Sequence, residues 1–109
     1  DLGDNATLLA LKLLPRSDFE SLKAAGAVGE ALCQFVDARG SVVDHPVNSR
    51  VMAVPLHELR NIPRVAIAAG GARKVLAIRA ALAATTASVL ITDEDAALGL
   101  LDEAGVAAA

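Results

Sequence analysis

The stretch from Arg64 to Ala84, RVAIAAGGARKVLAIRAALAA, constrains the fold more than any other part of the chain. It combines an apolar run of strand length, a double glycine and an alanine-rich helix that begins near Ala72. An apolar run without alternation, at 64–69, predicts a strand covered on both faces, as in parallel α/β sheets. A second run at 87–91 predicts its parallel neighbour, and a final helix is expected over 93–104. The stretch therefore predicts a β-α-β-α unit.

The turn after the first of these strands contains Gly70 and Gly71, and the helix that follows opens with Arg73 and Lys74. Open α/β sheets bind ligands beyond the carboxyl ends of their strands, and a helix amino terminus favours anions. Two cations at that end oppose the helix dipole by roughly 0.3–1 kcal/mol each unless an anion offsets them. A bound phosphate would relieve this repulsion. Two solvent-exposed side chains with nothing bound explain the pattern equally well.

Composition limits the chain to one domain without a nucleic-acid surface of its own. The 109 residues make at most one domain, and Ala, Val and Leu must fill the core because only two Phe and neither Tyr nor Trp are present. A net charge of −3 without a basic cluster argues against direct nucleic-acid binding. One cysteine, two separated histidines and no apolar run of membrane length predict a cytoplasmic chain without an internal disulfide, a metal site or a membrane span.

Residues 1–25 are expected to form a helical lead-in to this unit. A short leucine-rich helix should end at Pro15, since proline cannot continue it. A second helix is predicted from Ser17 to Ala25, where Ser17 and Glu20 have the spacing of a capping box.

Residues 26–62 are expected to form a strand and hairpin region. Alternation predicts a strand over 31–36, a turn at Gly40 and a return strand over 41–44. A further apolar stretch lies at 49–54, and a short helix is expected after it. Residues 63–105 then hold the β-α-β-α unit, so the three parts make up one domain.

Six short motifs are spread over residues 26–101 in a fixed order. They are Gly26-x-x-Gly29-Glu30, Phe35-x-Asp37-x-x-Gly40, Pro46-x-Asn48-x-Arg50, Ile62-Pro63-x-Val65, Ala69-Gly70-Gly71-x-x-Lys74 and Val89-Leu90-Ile91-Thr92-Asp93-Glu94. Together they resemble the C-terminal part of the sugar-binding (effector) domain of SorC/DeoR-type bacterial transcriptional regulators. The resemblance implies an α/β fold with a Rossmann-like parallel sheet, a three-layer sandwich similar to sugar-phosphate isomerases and deaminases. The chain would be a part of that domain.

The resemblance also implies a function. Regulators of this type sense a phosphorylated sugar, which modulates their self-association as dimers or tetramers. It thereby modulates DNA binding by a separate N-terminal helix-turn-helix module. The resemblance therefore implies a non-enzymatic domain without catalytic residues, cofactor, metal or membrane partner.

The same resemblance assigns four ligand-binding positions. In the family, the lysine after the double glycine contacts the phosphate of the effector. That lysine corresponds to Lys74, with Gly70 and Gly71 allowing close backbone approach. The acidic residue of the first motif corresponds to Glu30, which would accept hydrogen bonds from sugar hydroxyls. The alternative is that Glu30 is a solvated carboxylate at the entrance of a strand.

Asn48 and Arg50 complete the predicted phosphosugar site. They lie two residues apart, so in a strand both would face the same side. Arg50 would then pair with phosphate, or with Asp37 or Asp44 as an ordinary ion pair.

Two other functions remain open from the sequence alone. A sugar-phosphate isomerase or deaminase would need a general base, and Glu30 and Asp37 are the only candidates. An oligomerisation module without a ligand is the other possibility. One fold hosts many functions, so the fold does not decide among them.

Overall fold

The structure, a computed structural model, describes residues 1–103 as a mixed α/β fold with a small parallel sheet. Two short 3₁₀ helices, at Leu56–Asn61 and Ala72–Lys74, supplement the regular elements. The predicted end of the last helix, at residue 104, lies outside the described residues. In chain order the elements are α1 (Thr7–Ala10), α2 (Arg16–Ala24), β1 (Ala27–Ala31), β2 (Gln34–Asp37), α3 (Pro46–Ser49), β3 (Ala66–Ala68), α4 (Val75–Thr85), β4 (Val89–Ile91) and α5 (Glu94–Glu103).

The β3-α4-β4-α5 unit confirms the central prediction from the sequence. β3 and β4 pair in parallel, with Ile67 opposite Leu90. The predicted burial of both faces is not met within residues 1–103: Val89 is 48% exposed and Ile91 is 62% exposed, whereas Ile67 and Leu90 are half-buried. Alternate residues of a strand point to opposite faces, so one face of this sheet is open within residues 1–103.

The hairpin formed by β1 and β2 replaces the single strand predicted over 31–36. Its two-residue turn is Leu32–Cys33, with φ angles of 50° and 62°. Such turns ordinarily carry Asn or Gly, because other residues are strained at positive φ. The predicted turn at Gly40 does form, with φ of 84°, but the return strand is reduced to one bridge between Val36 and Val42.

The predicted capping box at Ser17 is wrong. α2 begins at Arg16, directly after Pro15, and no side chain caps it, so Ser17 lies inside the helix rather than at its boundary. Residues 50–54 of the further apolar stretch follow α3, a short helix whose N-cap is His45, and form neither helix nor strand.

The hydrophobic core is built around two aromatic rings. Phe19 of α2 and Phe35 of β2 meet edge to face, with centroids 5.9 Å apart. Both rings are almost fully buried, and aliphatic residues from the first 47 positions surround them. A second cluster packs the other side of the hairpin against α4, through Val36, Leu56 and Ala80.

Glycines allow the hairpin region to approach α4 closely. A Cβ on Gly29 of β1 would lie only 2.6 Å from the Cβ of Ala77. A Cβ on Gly40 would meet the backbone of α4 at the Ala80 oxygen and the Ala84 nitrogen. Real Cβ atoms essentially never approach so closely. Small residues on both surfaces therefore set the distance between hairpin and helix.

Replacement of Gly40 by Ala should destabilise the fold strongly. Left-handed backbone costs a residue with a Cβ about 1–2 kcal/mol, and forced overlap in a packed region adds about 1–3 kcal/mol. Gly26→Ala is the matched control, because Gly26 has φ of 93° but open space around its Cβ position. Urea unfolding of both variants should show the larger loss for Gly40→Ala. Equal losses would contradict the close contact with α4.

Candidate ligand-binding site

Lys74 and Glu30 converge at one site because α4 lies directly on β1. Gly29 abuts Ala77, which follows Lys74 by three residues and so lies on the same face of the helix. Glu30 is the next residue of β1. As a result, Glu30 and Lys74 both line two cavities of about 530 and 210 Å³.

The two cavities differ in chemistry. The larger one lies between β1, β3 and α4, and its wall is mostly aliphatic, including Leu56, Ile67 and Ile78. The smaller one is predominantly polar and includes Arg73 beside Lys74. A ligand spanning both would meet charge on one side and an apolar wall on the other.

The two cations lie where the sequence predicted them. Arg73 and Lys74 belong to the 3₁₀ turn that leads into α4, and Lys74 occupies the N-cap position. Both are exposed, and within residues 1–103 neither has an acidic side chain within ion-pair distance. Their positive charges therefore face the positive end of the helix dipole without a directly paired carboxylate.

Gly70 and Gly71 are each required for a different structural reason. Gly71 has φ of 100°, a conformation that strains other residues, and the space around its Cβ position is open. A Cβ on Gly70 would instead overlap Oδ2 of Asp93. Gly71 is thus the glycine whose backbone is accessible, while Gly70 makes room for a carboxylate.

Asp93 was missed as a neighbour of this turn. Its Oδ1 accepts a hydrogen bond of 2.8 Å from the amide of Ala96, so Asp93 caps α5. The Oγ1 of the preceding Thr92 is buried and has no hydrogen-bond partner among the described residues. The sequence pattern placed Asp93 inside the last helix, whereas in the structure Asp93 precedes and caps a helix that begins at Glu94.

Glu30 has a structural contact in addition to its position at the cavities. Its Oε2 accepts a hydrogen bond of 2.9 Å from the amide of Cys33 and so stabilises the hairpin turn. The side chain is half-buried, and its second carboxylate oxygen is available to another donor.

Asn48 lies apart from these cavities. Its Oδ1 accepts from the amide of Phe35 at 2.7 Å, and its Nδ2 donates to the carbonyls of Phe35 and Val43 at 3.1 and 2.7 Å. Asn48 therefore joins α3 to β2 in place of a ladder of backbone hydrogen bonds.

Arg50 faces a different surface from Lys74. Its guanidinium lies 3.3 Å from Oδ2 of Asp18, so its ion pair is with neither Asp37 nor Asp44. It lines a third cavity of about 390 Å³, together with Cys33 and other largely apolar residues. The reasoning that aligned Asn48 and Arg50 assumed a strand, and the helical turn of α3 removes that alignment.

The amino-terminal segment is the part of the site that sequence reasoning missed. Asp1, Asn5 and Thr7 line the polar cavity opposite the cations. The segment carries no motif that could have indicated this position, which arises from tertiary packing.

A Ser–His pair elsewhere in the fold is not arranged for catalysis. Ser21 Oγ lies 2.7 Å from Nε2 of His45 and donates its proton to the carbonyl of Asp18. Because the amide of Val47 donates to Nδ1 of His45, the ring proton of the neutral histidine is on Nε2. His45 thus donates to Ser21 and cannot remove its proton.

Two classes of feature are absent from the described residues. Among positions 1–103, no group of three or more His, Cys, Asp or Glu side chains could hold a metal ion. In the same range, no helix is long and apolar enough to cross a membrane.

Comparison with known proteins relates the chain to regulators. A family described as "Putative sugar-binding domain" matches residues 1–102. The chain is 36% identical over 100 residues to the deoxyribonucleoside regulator of Bacillus subtilis (strain 168), covering 92% of this chain and 32% of the relative. It is 40% identical over 77 residues to the transcriptional regulator LsrR of Escherichia coli O139:H28, covering 70% of this chain and 24% of LsrR. The chain thus spans a third or less of these relatives.

Solved structures give the same relationship. A transcriptional regulator from Streptococcus pneumoniae TIGR4 superposes with a TM-score of 0.83 at 34% identity, covering 96% of this chain and 40% of that one. The full-length sorbitol operon regulator SorC from Klebsiella pneumoniae superposes with a TM-score of 0.72 at 25% identity, covering 78% and 28%.

Replacement of Asn48 by Ala should lower stability by about 2–3 kcal/mol, because it removes three hydrogen bonds, including those to the amide of Phe35 and the carbonyl of Val43. Chemical unfolding would measure the loss. Asn61→Ala is the matched control, since Asn61 is exposed at the end of a 3₁₀ helix and should change stability by less than about 0.5 kcal/mol. A loss for Asn48→Ala no larger than the control's would contradict this structural role.

Proposed function

Because the chain belongs to this family of sugar-binding domains, as its six motifs predicted, we propose that it is the effector-sensing domain of a sugar-responsive transcriptional regulator. Its ligand is a phosphorylated sugar. The observation that carries the proposal is the convergence of Lys74 and Glu30 on the same cavities, beside the open backbone of Gly71.

The phosphate binds at the amino end of α4. The Lys74 ammonium donates to the phosphate oxygens, and the anion offsets the repulsion between the two cations and the helix dipole. Gly71 allows the phosphate to approach the backbone, while Gly70 places the turn against Asp93. This arrangement explains why a helix would keep two unpaired cations at its unfavourable end.

The sugar binds next to the phosphate. The carboxylate oxygen of Glu30 that is not bonded to Cys33 accepts a hydrogen bond from a sugar hydroxyl. The less polar faces of the sugar lie against the aliphatic wall of the larger cavity. Asn48 and Arg50 are left out of this site, because their side chains are bonded to the backbone of β2 and to Asp18.

Ligand binding acts on the rest of the regulator through the domain's conformation. A ligand that binds one conformation better shifts the population toward it. The shift changes self-association of the protein and, through it, the DNA affinity of a separate helix-turn-helix module. Residues 1–25, 26–62 and 63–105 form the C-terminal portion of one domain, and further elements complete a Rossmann-like three-layer sandwich over the open face of β3 and β4.

A catalytic role fits the geometry less well. Asp37 Oδ1 accepts from the amides of Arg39 and Ser41 at 2.9 and 3.0 Å, which commits it to its turn. Glu30 is partly committed to the amide of Cys33. A general base would need to be free to accept a proton from the substrate. These contacts support the assignment of the domain as a sensor.

A thermal-shift screen tests the proposed function. It compares phosphorylated and unphosphorylated sugars on the natural protein that carries these residues. Ligands that bind the native state raise the melting temperature by mass action. We expect shifts with phosphorylated sugars alone. Shifts of the melting temperature with unphosphorylated sugars would overturn the proposal. So would the absence of a shift with every sugar phosphate tested.

Replacement of Lys74 by Ala should weaken sugar-phosphate binding about 10- to 100-fold, because a hydrogen bond to a charged group contributes about 1.5–3 kcal/mol. Stability should change little, since the side chain is exposed. Titration calorimetry measures the affinity, and Lys23→Ala is the matched control, since Lys23 is an exposed lysine of α2. An unchanged dissociation constant for Lys74→Ala would exclude Lys74 as the phosphate ligand.

A further inference from the structure

The polar cavity beside Lys74 has a second wall that no motif assigns. Residues of the amino-terminal segment form this wall. The cavity, of about 210 Å³, lies between them and the start of α4. The polar side chains that line it are Asp1, Asn5, Thr7, Glu30, Arg73 and Lys74.

The core holds this wall in place. Leu2 and Ala6 are 8% and 4% exposed and belong to the same cluster as Phe19. The amide of Ala6 donates to the carbonyl of Gly3 at 2.9 Å, which closes a tight turn between the two buried residues. Asn5 and Thr7 flank Ala6. They are therefore fixed at the rim of the cavity by a backbone that is itself anchored.

The side chains of Asn5 and Thr7 have unused hydrogen-bonding capacity. Both residues are exposed, and neither side chain has a hydrogen-bond partner within residues 1–103. An amide and a hydroxyl each offer both a donor and an acceptor. Sugar hydroxyls also donate and accept, so these two side chains match the polyhydroxylated part of a ligand better than its phosphate.

We propose that Asn5 and Thr7 bind hydroxyl groups of the sugar and thereby determine which sugar phosphate the domain prefers. This inference rests on the proposed function, because Lys74 must hold the phosphate for the sugar to reach the opposite wall. Glu30 and the Asn5–Thr7 wall then contact the sugar from two sides, while the phosphate remains at the start of α4.

Affinity measurements on matched ligands test this inference. The natural protein and its Asn5→Ala, Thr7→Val and Lys74→Ala variants are titrated with inorganic phosphate. The same four proteins are then titrated with ribose 5-phosphate and glucose 6-phosphate, each with its 2-deoxy analogue, and with fructose 6-phosphate. Asn61→Ala serves as the control for Asn5→Ala, because it removes an exposed amide far along the chain.

We expect Asn5→Ala and Thr7→Val each to weaken binding of the preferred sugar phosphate about three- to tenfold, the loss of one hydrogen bond. Both should reduce the discrimination between at least two sugars of the panel. Affinity for inorganic phosphate should stay within about twofold, whereas Lys74→Ala lowers it as well.

The outcomes separate this inference from the proposed function. If Lys74→Ala loses affinity but Asn5→Ala and Thr7→Val bind every sugar as the parent does, the inference is wrong and the proposed function stands. If the unmodified protein binds none of these sugar phosphates, both are overturned. Equal weakening of inorganic phosphate and sugar phosphates by Asn5→Ala and Thr7→Val would also overturn the inference, because it would place both residues at the phosphate.

Discussion

The direct packing of α4 on the hairpin of β1 and β2 is the constraint on which the rest of the structure depends. Gly29 and Gly40 leave no room for a Cβ, and the facing positions on α4 are alanines, so two backbones lie closer than larger side chains would allow. This separation brings Glu30 and Lys74 to the same cavities. The candidate site is therefore a consequence of positions that carry almost no side chain.

The two cations at this site make no direct ion pair within the described chain. Arg73 and Lys74 stand at the positive end of α4 without an ion-pair partner in the described chain, and Glu30 is partly committed to the turn beside it. Surface charges of this kind interact weakly in water, but enclosure by a ligand lowers the local dielectric and strengthens each contact. A ligand with an anionic end and a hydroxylated body would match both the two cations and the Glu30 carboxylate.

Local patterns predicted the elements whose causes are local. The apolar runs, the double glycine and the lysine that follows it were sufficient to predict β3, α4, β4 and the position of Lys74. The hairpin could not be predicted, because Leu32 and Cys33 are the opposite of what its turn requires. The hydrogen bonds of Asn48 and the position of Asn5 and Thr7 at the polar cavity depend on residues that are distant in sequence, so no periodicity or spacing could indicate them.

The turn at Leu32 and Cys33 also has a consequence for how the sequence can change over time. Two residues with side chains hold left-handed backbone there, at roughly 1–2 kcal/mol each. Asn and Gly would adopt the same geometry with less strain, and both positions are exposed. A lineage adapting to higher temperature could therefore gain stability at this hairpin tip without any rearrangement of the core. Replacement of Leu32 would also remove a side chain that lines the larger cavity, so the apolar wall of the candidate site would change with the stability of the hairpin.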